Sequence, residues 1–194
     1  LYLSNTYLIM KNTLQSFTIT LLLLFANQLV AQDTLICAVG NELIKVDQNN
    51  AGVATHVPIT GIPLGFDELR LTWHPGDNCY YTVGNTSSQM NDEVARIDAA
   101  GNYSNLGTVT IPGQTVYFME AMAYNPADGG LYASASLNSG TNDWWSETLI
   151  KIDIQTMTGT VIGTFSHTGI VYEPDCDMMD FSANGTLYYN DTEP

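Results

Sequence analysis

Glu42-Leu-Ile-Lys-Val-Asp47 returns as Glu93-Val-Ala-Arg-Ile-Asp98 and again as Thr148-Leu-Ile-Lys-Ile-Asp153, at spacings of 51 and 55 residues. A second phrase keeps step with the first: Leu71-Thr-Trp-His-Pro-Gly-Asp-Asn-Cys-Tyr-Tyr81 matches Met122-Ala-Tyr-Asn-Pro-Ala-Asp-Gly-Gly-Leu-Tyr132 and Met179-Asp-Phe-Ser-Ala-Asn-Gly-Thr-Leu-Tyr188. Two phrases recurring in fixed order at about 50 residues mark a repeat architecture, in which each unit buries its apolar faces against its neighbours.

Around these phrases, short alternating runs of Val, Ile, Tyr and Thr are punctuated by Asn, Asp and Gly, the pattern of strand following strand. The second unit parses as Glu68 to His74, Cys79 to Gly84, Glu93 to Asp98 and Tyr103 to Thr110. The third parses as Met119 to Asn125, Leu131 to Leu137, Thr148 to Asp153 and Gly159 to Phe165. Pro75-Gly-Asp-Asn78, Pro126 to Gly130 and Ala183-Asn-Gly185 supply the turns between first and second strands. A four-stranded antiparallel unit repeated with both faces apolar is a propeller blade. The predicted fold is therefore all-β, a partial β-propeller of about three four-stranded blades plus an incomplete one, with repeats at about 33–62, 66–111, 117–166 and 175–194. Thr34 to Val39 aligns with a second strand, so the opening blade is expected to lack its innermost strand, and the last to stop after two. That count reads as the N-terminal part of a longer protein, because three blades and a fraction fall short of a ring of four to eight. A β-sandwich, the competing fold, does not explain why two separated phrases keep the same order and spacing.

Ile-Asp before a Gly turn, an aromatic-x-Pro or Ser-x-x-Gly turn, and then Leu-Tyr resembles the secreted β-propeller repeats of the YVTN and NHL-like families. The likeness runs over nearly all of Asp33 to Asp191. It implies architecture and no particular activity, since such blades host many unrelated functions.

Residues 1–31 read as upstream residues and a leader. Met10-Lys-Asn12 is a short basic start, Phe17 to Phe25 is apolar, and Leu29-Val-Ala31 offers a small residue for cleavage before Gln32, as in a secretory signal peptide. The apolar run is too short to span a bilayer. The mature domain is then 32–194, expected outside the cytoplasm: secreted, extracellular or periplasmic, or at the cell surface, with no membrane insertion after cleavage. Across the chain 5 basic residues face 20 acidic ones, a formal charge of −15. So acidic a surface repels phosphate backbones, which argues against nucleic acid. Cys37, Cys79 and Cys176 show no CxxC spacing; one bridge with one buried thiol, or three buried thiols, are the two expectations.

Alignment of the repeats puts Leu69, Glu120 and Asp177 at one position, the start of each innermost strand, with Glu68, Glu173 and Asp175 close by. Starts of inner strands ring one end of a propeller's axis, so their carboxylates are predicted to converge there. Glu68 and Glu120 are candidate ligand-binding residues, and Asp175 and Asp177 candidate ligands for a hard cation such as Ca²⁺, which takes six to eight oxygens. Apart from calcium no cofactor is expected. Asp180 aligns with Thr72 and Ala123 and is expected to face a neighbouring blade, buried and hydrogen-bonded. Trp144 and Trp145, in the polar loop from Asn138 to Glu147, offer flat apolar faces for a sugar or a partner side chain. His74 holds the turn position of Asn125 and Ser182 and reads as a turn cap. No G-x-S-x-G, H-E-x-x-H, P-loop or dinucleotide fingerprint is present. The expected function is a recognition or interaction-scaffold module for a protein or carbohydrate ligand. The alternative is a propeller enzyme of lactonase, lyase or glycosidase type, using the axial carboxylates with a bound cation.

Overall fold

A computed structural model describes residues 34–47, 50, 52, 54–63, 69–84, 93–138, 147–165 and 176–191. The described strands are β1 (Thr34–Val39), β2 (Glu42–Asp47), β3 (Ala54–Pro58), β4 (Arg70–His74), β5 (Cys79–Gly84), β6 (Glu93–Asp98) and β7 (Tyr103–Thr108), followed by β8 (Thr115–Asn125), β9 (Gly130–Asn138), β10 (Glu147–Asp153), β11 (Thr158–Thr164), β12 (Cys176–Phe181) and β13 (Leu187–Asp191). They form four sheets in chain order: β1-β2-β3, β4-β5-β6-β7, β8-β9-β10-β11 and β12-β13. The chain is all-β, and its sheets are those of a partial β-propeller. Strand bounds follow the parse to within a few residues, except that β8 begins earlier, at Thr115. Leu1–Leu35 with Val46–Ala54 makes one compact unit, and Ile36–Lys45 with Thr55–Pro194 another. In the first, the Asn50 N–H donates to the Asp47 carbonyl at 3.1 Å. Everything below concerns the second.

The alternation of each strand decides what it packs against. In β9, Leu131, Ala133, Ala135 and Leu137 join a core with Cys79, Tyr81, Val83 and Val94 of the preceding sheet. Tyr132, between them, joins a different core with Cys176, Met179 and Phe181 of the following sheet. A strand sends successive side chains to opposite faces, so a strand with apolar residues buried on both faces requires two cores rather than one. The second sheet does the same: Tyr80 and Ile97 enter a core with Leu43 and Ile59, while Tyr81 and Val94 enter the next. Three cores thus lie between four successive sheets. Equivalent repeat positions enter equivalent cores: Leu71 and Trp73 the first, Met122 and Tyr124 the second, Met179 and Phe181 the third. A two-sheet sandwich would have one core and two solvated faces.

Hydrogen bonds fasten the sheets at their outer edges. Thr60 donates its N–H to the Gly101 carbonyl and accepts the Tyr103 N–H, both at 2.9 Å. One repeat later Thr110 donates to the Met157 carbonyl and accepts the Gly159 N–H, again at 2.9 Å. Both form isolated parallel bridges, Thr60 to Asn102 and Thr110 to Thr158. Gly101 makes the first of these fit. Its φ is +89°, and a Cβ there would lie 2.2 Å from the Pro58 carbonyl oxygen, a left-handed position with no room for a side chain.

Candidate functional site

The inner strands of three successive sheets face a shared cavity of about 300 Å³. The second sheet contributes Leu69, Arg70 and Leu71, the third Ala121 and Met122, the fourth Met178 and Met179. Its lining is mainly apolar, with one guanidinium: Arg70 donates to the backbone carbonyl of Glu120 in the next sheet.

Glu120 owes its place to a β-bulge. In the pairing of β8 with β9, Met119 opposes Ala135 and Ala121 opposes Ser134, leaving Glu120 as the extra residue. The same device recurs in the fourth sheet, where Cys176 opposes Asp191 and Met178 opposes Asn190, leaving Asp177 between them. A bulge re-aims its extra side chain and interrupts pairing. The two acidic residues aligned from sequence therefore share one backbone irregularity. Glu120 is half-buried with its Oε2 shut off from solvent. The side chain of Asp177 and all of Glu68, Trp144, Trp145 and Asp175 lie outside the described residues.

A buried acid that sequence reading passed over completes this end. Glu147, at the start of β10 and only 3% exposed, accepts the Cys176 N–H on Oε2 at 2.5 Å. Ser134, also fully buried, donates its hydroxyl to the Cys176 carbonyl at 3.1 Å and accepts the Ala121 N–H at 3.0 Å. The third sheet thus grips both backbone groups of Cys176, the first residue of the fourth sheet's inner strand. Burial of a carboxylate requires such partners. The only sequence sign of Glu147 was its place just ahead of the recurrent third strand.

The recurrent aspartates hold turns. Asp98 accepts from the Ala100 and Asn102 N–H groups and from the Asn102 amide, at 2.8–3.0 Å, and the Asn102 side-chain bond is the main reason its pKa falls. Asp153 accepts the Gln155 N–H at 2.9 Å, and the Thr156 hydroxyl is the first cause of its lowered pKa. In the other phrase, Asp77 accepts the Tyr81 hydroxyl at 2.7 Å and Asp128 the Tyr132 hydroxyl at 2.6 Å. Asp128 is also paired with Lys151 at 2.6 Å; chiefly through Lys151, then Tyr132, its pKa drops to about 2. Burial, then the bond to Asp77, pushes the Tyr81 hydroxyl far up. His74 Nδ1 accepts the Asp77 N–H at 3.1 Å, the turn-capping role its alignment predicts.

Two expectations need correction. Asp180 is exposed and accepts the Phe181 N–H at 2.8 Å. Its counterparts are covered: the Thr72 hydroxyl accepts the Tyr124 N–H of the next sheet at 2.9 Å, and Ala123 is buried in the third core. The reason is that no further sheet lies over this face of β12 among the described residues. Nor are the thiols as expected. None is bridged in the structure, and Cys37 is exposed while Cys79 and Cys176 are buried. Among the described residues no three His, Cys, Asp or Glu side chains gather as a metal-ligand set, and no helix is long and apolar enough to cross a membrane.

No family model and no curated protein matches the chain. Among solved structures it is similar to an oligogalacturonate lyase in complex with manganese, at 14% identity and a TM-score of 0.43 over 78% of this chain and 36% of that one. It is also similar to regucalcin, a calcium-binding protein from Agrobacterium tumefaciens, at 15% identity and a TM-score of 0.41 over 82% of this chain and 50% of that one. The chain thus spans half or less of the length of either structure.

Proposed function

We propose that the protein is a secreted recognition module, not a catalyst, and that it takes a protein or carbohydrate ligand at the axial end where the inner strands begin. One observation carries this reading. The recurrent aspartates whose partners are described hold turns, and Glu147 anchors a strand, whereas the axial cavity is lined by methionine, leucine, alanine and one guanidinium. Methionine is unbranched and polarizable, and suits a surface that adapts to a partner. Trp144 and Trp145, in the loop ahead of β10, belong to the same reading as flat contact faces. Asp175 and Asp177 remain the residues for a hard cation such as Ca²⁺ in the enzyme alternative. The test is a binding screen against arrayed glycans and a panel of extracellular proteins, repeated with Trp144→Ala, Met122→Glu and Asp177→Asn. Recognition predicts at least a tenfold loss of binding with the first two and little change with the third. Calcium-dependent turnover of a sugar or lactone substrate, abolished by Asp177→Asn, would replace this reading with the enzyme one.

A further inference from the structure

A cavity of about 380 Å³ lies at the end of the sheets opposite the axial one, where β8 turns into β9 and β10 into β11. His74 lines it from the second sheet, and its other lining residues belong to the third. Both of these sheets are packed on both faces, so the walls do not depend on an uncovered face. The volume falls within the range of small-molecule sites, about 300–1,000 Å³.

The repeat accounts for most residues at this end as turn and strand anchors, and the cavity opens where the third sheet departs from the second. Asn78-Cys79, with Cys79 buried at 4% exposure, becomes Gly129-Gly130. Lys151 lies across the second of these glycines, its Cε 2.6 Å from where a Cβ would stand. Ala99-Ala100, which follow the recurrent Asp98, become Ile154-Gln155 after Asp153. Two side chains are thus removed from one wall, and an apolar and an amide side chain are added to another. The turn itself does not require the amide, because Asp153 accepts the main-chain N–H of Gln155, which almost any residue supplies.

The lining decides what could enter. Lys151 and Asp128 pair with each other at 2.6 Å, and a chain of formal charge −15 disfavours an anion. What remains are groups that pair with hydroxyls: the Gln155 amide, the Thr160 hydroxyl, the Asp153 carboxylate and the His74 ring. His74 Nδ1 accepts the Asp77 N–H at 3.1 Å, so the neutral ring carries its proton on Nε2 as a donor. Leu131, Ile152 and Ile154 add apolar surface. Donors, acceptors and apolar surface in one small site suit a neutral ring with hydroxyls at its edge and C–H groups on its face. We propose that this cavity is a second binding site, for a neutral sugar unit, separate from the axial one.

The test is a titration of the full chain with a panel of neutral monosaccharides, followed by NMR at the His74 ring and at the Ile154 and Thr160 methyls. The proposal predicts saturable shifts at these residues with at least one hexose, and a loss of about fivefold in affinity in Gln155→Ala, as for one hydrogen bond removed. Gln155 is exposed and its main-chain turn bond survives the change; an unaltered His74 signal in the sugar-free variant checks that its fold is intact. Affinity should be unchanged in Trp144→Ala, a variant of the axial end. Cyclohexanol, a six-membered ring with a single hydroxyl, should move these signals little. Silence at all of these residues across the panel would overturn the proposal. Equal shifts with cyclohexanol would overturn it in favour of a plain apolar groove, and loss of the shifts in Trp144→Ala would overturn it by returning the sugar to the axial end.

Discussion

Tyr132 and Tyr188 stand at one position of the repeat and have opposite fates. The first is buried between two sheets, hydrogen-bonded to Asp128 and lying beneath the Lys151 ammonium at 5.4 Å. The second is among the most exposed side chains described. Local sequence is nearly the same, Gly-Leu-Tyr against Thr-Leu-Tyr; the difference is whether a further sheet lies in front. In this architecture burial belongs to the neighbour and not to the residue, as expected when stability is a sum of nearest-neighbour contacts. Among the described sheets, the second and third are packed on both faces, the first and fourth on one.

Substitutions can sharpen that contrast. Ile150, fully buried in the second core, should lose about 2–5 kcal/mol as Ile150→Ala in chemical denaturation, whereas Met178→Ala should stay within about 0.5 kcal/mol. Equal losses at the two positions would erase the distinction. Next in size is Gly101→Ala. With a left-handed φ and the Pro58 carbonyl in the way, it should cost about 1–3 kcal/mol and loosen the strap at Thr60, visible as faster exchange of the Thr60 and Tyr103 amides. An unchanged exchange rate would mean that the strap is not a fastening.

The smallest effect is acid sensitivity. The Asp128 pKa falls from 3.8 to about 2 in the folded state. A lowered carboxylate pKa stabilises the fold above pH 3.8, and that stabilisation is lost as pH falls toward 2. Because the side chain is 37% exposed, solvent screening reduces the contribution to about 0.5 kcal/mol. Asp128→Asn should therefore cost about 0.5 kcal/mol near neutrality and flatten stability between those two pH values, the deficit fading as pH falls toward 2. A steeper acid limb in the variant would reverse the sign and refute the assignment.

Most of the fold was legible in the sequence, because a repeat states each strand more than once. Three third strands ending in Ile-Asp or Val-Asp fix a register that a single copy leaves open, and the shared turn-capping role of Asp98 and Asp153 shows why that residue recurs. The Asp and Tyr of the i to i+4 bonds recur in both copies, but the bonds themselves were not read from the sequence. Less was legible where the controlling contact is unique. Asp180 was assigned a neighbour from its alignment, but exposure depends on a sheet, not on a position. Glu147 carries no periodic signal, since its partner is a backbone N–H 29 residues away. Of the six residues named for the site, alignment grouped Glu120 with Asp177, and their matching bulges give that grouping a backbone cause.

The central claim is that one strand divides its side chains between two sheets, and nuclear Overhauser contacts from β9 measure it directly. The account predicts cross-peaks from the Ala133 and Ala135 methyls to Val83 and Val94 of the preceding sheet, alongside cross-peaks from the Tyr132 ring to Phe181 of the following one. Contacts from all three residues to a single sheet, or a Tyr132 ring open to solvent, would contradict it.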